Sequence, residues 1–120
     1  MTAPPLIDQA ILDELIESIG IEGARSVLEL FIVEGRLYLT TIAEGAARPE
    51  DAGQCERVRR AAHALKSGAG QIGAAALSAA AAAVEAAAAA AGPSLPQHVA
   101  VLQDCATRTI DALTRLPAKR

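Results

Sequence analysis

The chain has 120 residues, enough for one domain with its own core and too few for two. Hydrophobic residues make up 52%, but much of that share is alanine, and one Phe, one Tyr and no Trp are present. Such a core suits closely packed helices better than a β-sandwich. Lys and Arg total 11 against 14 Asp and Glu, a formal charge of -3, which argues against non-specific nucleic-acid binding because phosphate neutralisation needs a basic surface.

Pro4 and Pro5 precede a run from Leu6 to Ile16 with apolar residues at helical spacing, stopped at Gly20, which predicts a short first helix. From about Gly23 to Ala46 a longer second helix is expected, with Leu28, Phe31, Gly35, Tyr38 and Ile42 along one face. Gly35 on that stripe is expected to admit a close neighbour. The segment Arg48-Pro49-Glu50-Asp51 breaks the pattern, and Asp51 followed by Gln54 reads as the cap of a third helix reaching about Ile72.

Residues Ala74 to Ala91 hold fourteen alanines around Leu77 and Val84, and this high helix propensity predicts a fourth helix ended by Gly92-Pro93. Ser94-Leu95-Pro96-Gln97 opens a fifth, whose stripe is Leu95, Val99, Leu102, Ala106, Thr109, Leu113 and Leu116 before a basic tail. Short connections imply an all-α, up-down antiparallel four-helix bundle with a short additional N-terminal helix acting as a lid, in a single domain over residues 1–120.

Several function classes recede. The N-terminus lacks the basic and apolar regions of a signal peptide, and Glu85 interrupts the alanine-rich stretch, so a cytoplasmic protein without a membrane span is expected. Cys55 and Cys105 lack metal-type spacing and read as reduced, partly buried thiols. Glu14, Glu17, Glu29, Glu34 and Glu44 form no Glu-x-x-His pair and read as solvated faces. There is no GxxxxGK[ST] loop, and the glycines from Gly68 to Gly73 have no preceding strand. No cofactor or metal is expected.

His63 stands apart. On a wheel at about 100° per residue, Cys55, Val58, Ala62, Leu65, Ala69 and Ile72 form the core stripe of the third helix, and His63 falls well off it. Arg59 and Lys66 lie one turn either side, and Ser67 and Gly70 follow on the same face. Small residues leave room beside the imidazole, and the cations suit an oxyanion. A histidine nitrogen is nucleophilic near neutral pH without a separate base, and phosphoryl transfer is mostly positioning and charge stabilisation. Ser67 can donate a hydrogen bond to phosphoryl oxygens or simply leave space. Taken alone, a histidine between Arg and Lys is most simply a solvated helix face. His98, with Val101, Leu102 and Cys105 as helical neighbours, is such a case and is expected to be exposed.

The segment from His63 through Lys66, Ser67, Gly68 and Gly70 to Ile72-Gly73, with Leu77 beyond, resembles the signature of histidine phosphotransfer (HPt) domains: His-x-Leu-Lys-Gly-Ser/Ala, then a small residue, an aliphatic-Gly pair and a later Leu. The order of the first three helices is also similar, with Leu28-Glu29-Leu30-Phe31 on the second, so the resemblance covers about three quarters of the chain and extends to the final helices only in kind. Ser67 stands where that family most often has Gly, and Gly68 where it often has Ser or Ala.

The resemblance implies that His63 accepts a phosphoryl group from a receiver-domain aspartate and passes it to another, without catalysis of its own. Lys66 would stabilise the group, Gly70 would permit docking, and magnesium would come with the receiver. Response-regulator receiver domains and a hybrid histidine kinase are the implied partners of a monomeric protein. Two alternatives stay open: the dimerisation and phosphoacceptor fragment of a histidine kinase, although Ala64 and Gly68 stand where such fragments place Glu and Pro, and an interaction-only bundle.

Overall fold

The computed structural model describes residues 3–115, and its elements are four helices: α1 (Gln9–Ala46), α2 (Ala52–Ile72), α3 (Ala75–Ala89) and α4 (Leu95–Arg115). Leu116 and the basic tail lie outside the described residues. Asp8 caps α1 by accepting from the Ala10 amide, and Asp51 caps α2 by accepting from those of Gly53 and Gln54. The two expected N-terminal helices meet end to end within α1. Gly20, at φ 80 and ψ 166, breaks the helix between them in a backbone region essentially closed to other residues, and the second helix resumes directly after it instead of at Gly23.

Each helix packs on its neighbours in the chain, and α4 closes the ring against α1, which is the up-down arrangement expected of short connections. The core holds the anticipated stripes. Ile42, Val58, Leu65, Leu77, Val84, Leu102 and Leu113 are fully buried, each such side chain contributing roughly 1.5–3 kcal/mol. Thr109, buried among them, donates its hydroxyl to the Cys105 carbonyl at 2.8 Å, so no polar atom is stranded there. Both cysteines are free and buried.

The close approach expected at Gly35 occurs elsewhere. A Cβ on Gly35 would meet Leu65 at an ordinary 3.7 Å, whereas one on Gly45 would collide with the Val58 side chain, so it is Gly45 that leaves no room for a side chain between α1 and α2. The N-terminal strap is anchored at the α2–α3 corner: Asp8 donates its amide to the Gly73 carbonyl at 2.6 Å, Ala76 donates to Pro5, and Leu12 is buried. The expected lid therefore covers that corner. Among the described residues no helix is long and apolar enough to cross a membrane.

Candidate functional site

His63 lies near the middle of α2, on its outward flank beside α3. The helix directs it outward because the Val58, Ala62, Leu65 and Ala69 stripe is buried against the neighbouring helices, and its side chain is 57% exposed. Small residues set what it meets. Ala62 and Ala69 on α2 and Ala81 and Ala88 on α3 are buried, which lets the two axes approach closely.

The hairpin also sets a register. Gly70 faces Ser78, whose hydroxyl donates to the Lys66 carbonyl at 3.0 Å. Two turns back along α2 and two turns forward along α3, His63 meets Glu85. Its carboxylate bridges two groups, with Oε2 at 2.9 Å from His63 Nδ1 and Oε1 at 2.9 Å from Lys66 Nζ.

The pairing has a chemical consequence. Lys66, first, and then the His63 hydrogen bond hold the Glu85 carboxyl below the usual carboxylate range, against partial burial that pushes it up. Glu85 is therefore an anion at neutral pH and can only accept. In the neutral imidazole the proton then resides on Nδ1, and Nε2 carries the lone pair.

The other residues expected at the site are brought near it in different states. Arg59 makes a bidentate pair with Glu56, at 2.8 and 2.7 Å, and Arg60 joins the same carboxylate at 3.1 Å. The Arg59 guanidinium thereby holds Glu56 down to about 2. Both flanking cations, Arg59 and Lys66, are thus paired with carboxylates in the resting molecule. Ser67 is exposed, and its hydroxyl has no partner among the described residues. At Gly70 an added Cβ would meet only Ser78 Oγ at 3.6 Å, an ordinary contact.

The reversed Ser67-Gly68 order has a local cause. A Cβ on Gly68 would press on two carbons of the Phe31 ring at 3.3 Å, so the position under Phe31 is restricted to glycine unless the ring shifts, while the exposed position 67 accepts serine. His98, expected on the surface, is half-buried. On the outer side of α1, Leu30, Val33 and Leu37 are bare, at 57%, 58% and 64% exposure.

A family model for the Hpt domain matches residues 26–115. The chain belongs to the Hpt domain family. Hpt domains are the histidine phosphotransfer carriers of phosphorelays, intermediates that work with receiver domains and histidine kinases. The Hpt match runs through α4, further than the sequence motif reached, and starts after the Gly20 break. Across the whole fold, the chain superposes on histidine-containing phosphotransfer protein B (HptB) from Pseudomonas aeruginosa PAO1 with a TM-score of 0.85 over 97% of each chain, at 18% identity. No curated protein matches. Nothing supports the kinase-fragment alternative over an Hpt carrier.

Glu85 is the residue that sequence reasoning missed as part of the site. It was visible as the one charged side chain among the alanines of residues 74–91, and the tight Gly73-Ala74 corner would have placed it opposite His63.

Proposed function

We propose that His63 is the phosphoryl acceptor of this Hpt carrier, through Nε2. The observation that carries the assignment is the exposed imidazole held by Glu85 at Nδ1, which leaves Nε2 with its lone pair toward solvent. A phosphoryl group on Nε2 would come from a receiver-domain aspartyl phosphate and leave to a second receiver's aspartate, the receiver supplying magnesium. Positioning and charge then do most of the work. Lys66 is within one turn of His63 and can exchange Glu85 for a phosphoryl oxygen, and the unpartnered Ser67 hydroxyl can donate to the same group. Gly70 leaves the surface flat for the partner. Nothing inside the chain demands a glycine there, which favours an external reason for it.

Arg59, with Arg60, presents positive charge beside the imidazole toward the acidic active site of a receiver, and the bare Leu30, Val33 and Leu37 supply apolar contact. The chain works as a single Hpt domain, a cytoplasmic monomer fed by a hybrid histidine kinase, with no ATP-binding or kinase machinery, and with neither nucleic acid nor membrane as a partner. Incubation with a phosphorylated receiver is expected to place acid-labile phosphate on the wild type and none on His63→Gln. Equal labelling of that variant would overturn the assignment.

A further inference from the structure

We propose that Glu56 is a positioning residue of the His63 face: by taking the Arg59 guanidinium it keeps that cation off Glu85, and so leaves the Glu85 carboxylate to His63 and Lys66. The consequence for transfer rests on His63 being the acceptor, whereas the contact itself does not.

Anions are in short supply on this face. Glu85 is the one charged residue of α3, while α2 carries three cations, Arg59, Arg60 and Lys66, within about one turn of His63. The α2–α3 hairpin runs antiparallel, with Ser78 against Gly70 and Glu85 against His63. Lys66, three residues beyond His63, reaches the Glu85 carboxylate at 2.9 Å. Arg59, four residues before His63 on the same side of α2, has the longer side chain, and Ala86 and Ala89 on the neighbouring turn of α3 offer it no other anion. Glu56 holds Arg59 more firmly protonated, first through its hydrogen bonds and then its charge, and the charge of Glu85 adds to this against desolvation. Glu85 is thus within electrostatic reach of Arg59 without being its partner.

Geometry decides the partner. Arg59 donates from Nε and Nη2 to Oε1 and Oε2 of Glu56 at 2.8 and 2.7 Å, the bidentate arrangement in which a surface pair is worth most. Glu56 lies three residues back, so the pair draws the guanidinium toward the start of α2 and away from His63. Oε2 also accepts from Arg60 Nε at 3.1 Å, which ties the carboxylate from a second side. Glu85 can offer Arg59 nothing comparable without giving up a partner, since Oε2 meets His63 Nδ1 and Oε1 meets Lys66 Nζ. Without Glu56 that balance changes. Glu85 is then the carboxylate left to Arg59, and a guanidinium fork suits a carboxylate better than a neutral imidazole does. Nδ1 loses its acceptor, and the cation turns inward from the surface that a receiver would meet.

Four proteins test this: wild type, Glu56→Ala, Arg59→Ala and the double variant Glu56→Ala/Arg59→Ala. Alanine is the strongest helix former, so all four are expected to keep their helix content by far-UV circular dichroism. Nitrogen-15 NMR of His63 in the unphosphorylated proteins reads the ring directly. Wild type and Arg59→Ala are expected to hold the proton on Nδ1, Glu56→Ala to shift toward the Nε2-protonated form, and the double variant to return to the wild-type spectrum. That return is what a merely structural role for Glu56 would not give. A His63 spectrum unchanged in Glu56→Ala would overturn the proposal, and so would a double variant as shifted as Glu56→Ala.

Phosphoryl transfer from a receiver at low salt gives an independent sign. Removing a carboxylate from the docking face raises its positive charge, so steering alone would make Glu56→Ala faster than wild type. An Arg59 turned toward Glu85 makes it slower instead, by about two- to fivefold, the range over which one surface pair moves an equilibrium. An equal or faster Glu56→Ala would overturn the proposal. Labelling of His63→Gln would sink the acceptor assignment and not this contact, whose NMR test needs no phosphoryl group.

Discussion

Gly70 and Gly68 are both small residues near His63, but they are small for different reasons. Gly68 is favoured by the packing, because a Cβ would press on the Phe31 ring at 3.3 Å and the ring would have to shift. Gly70 is exposed, with ordinary space for a Cβ beside Ser78, and under the proposed function its missing side chain leaves room for a docking receiver. The two roles separate in one experiment. Gly70→Ala should raise stability to chemical denaturation by about 0.5–1 kcal/mol, the usual cost of glycine inside a helix. The same variant should slow phosphoryl transfer from a receiver. A variant both more stable and equally fast would show that the open surface at Gly70 is unimportant.

Helix ends and breaks shape the site at the next scale. α2 ends at Gly73 in a left-handed turn, with Ala74 donating to the Ala69 carbonyl and Gly73 to that of Gly70, and this tight corner sets the α2–α3 register that brings Glu85 to His63. α3 ends in the same motif: Gly92 donates to Ala87 and Ala91 to Ala88. Here, however, the left-handed position is occupied by Ala91, at φ 50, where an L side chain crowds its own carbonyl. Ala91→Gly should therefore stabilise the protein by roughly 0.5–1 kcal/mol, the relieved strain exceeding the extra entropy glycine loses on folding. Thermal or urea unfolding would read this directly. Transfer should be unaffected, since the corner lies at the far end of α3 from Ser78 and away from the His63 face.

Over the whole molecule, charge and apolar surface are distributed unevenly. The chain is acidic overall, at -3, yet around His63 Arg59, Arg60 and Lys66 outnumber the carboxylates of Glu56 and Glu85 that pair with them. Opposite charges on an approaching receiver would steer encounter, an effect that salt screens over about 10 Å at 0.1 M. Arg59→Glu should slow transfer several-fold at low ionic strength, and the difference from wild type should shrink as salt is added. Stopped-flow transfer at two salt concentrations checks it, and equal rates at low salt would remove steering from the picture. The bare Leu30, Val33 and Leu37 on α1 offer an apolar contribution that salt does not screen.

Much of this was legible in the residues. Helical period, the cap at Asp51 and breaks at Gly20, Gly73 and Gly92 are local chemistry, and they determined the helices, the buried stripes and the exposure of His63. The motif around His63 was enough to point to the family. What one helix meets on another is not local. The lack of room for a Cβ at Gly45 rather than Gly35 and the tight contact of position 68 with Phe31 depend on how the helices lie against each other. So does Glu85: along the chain it is a lone charge among alanines, and only the packed α2–α3 hairpin places it against His63 and Lys66 from 22 residues away. The sequence alone pointed to His63, and the tertiary structure decided which of its ring nitrogens is held, because the carboxylate that meets Nδ1 comes from another helix.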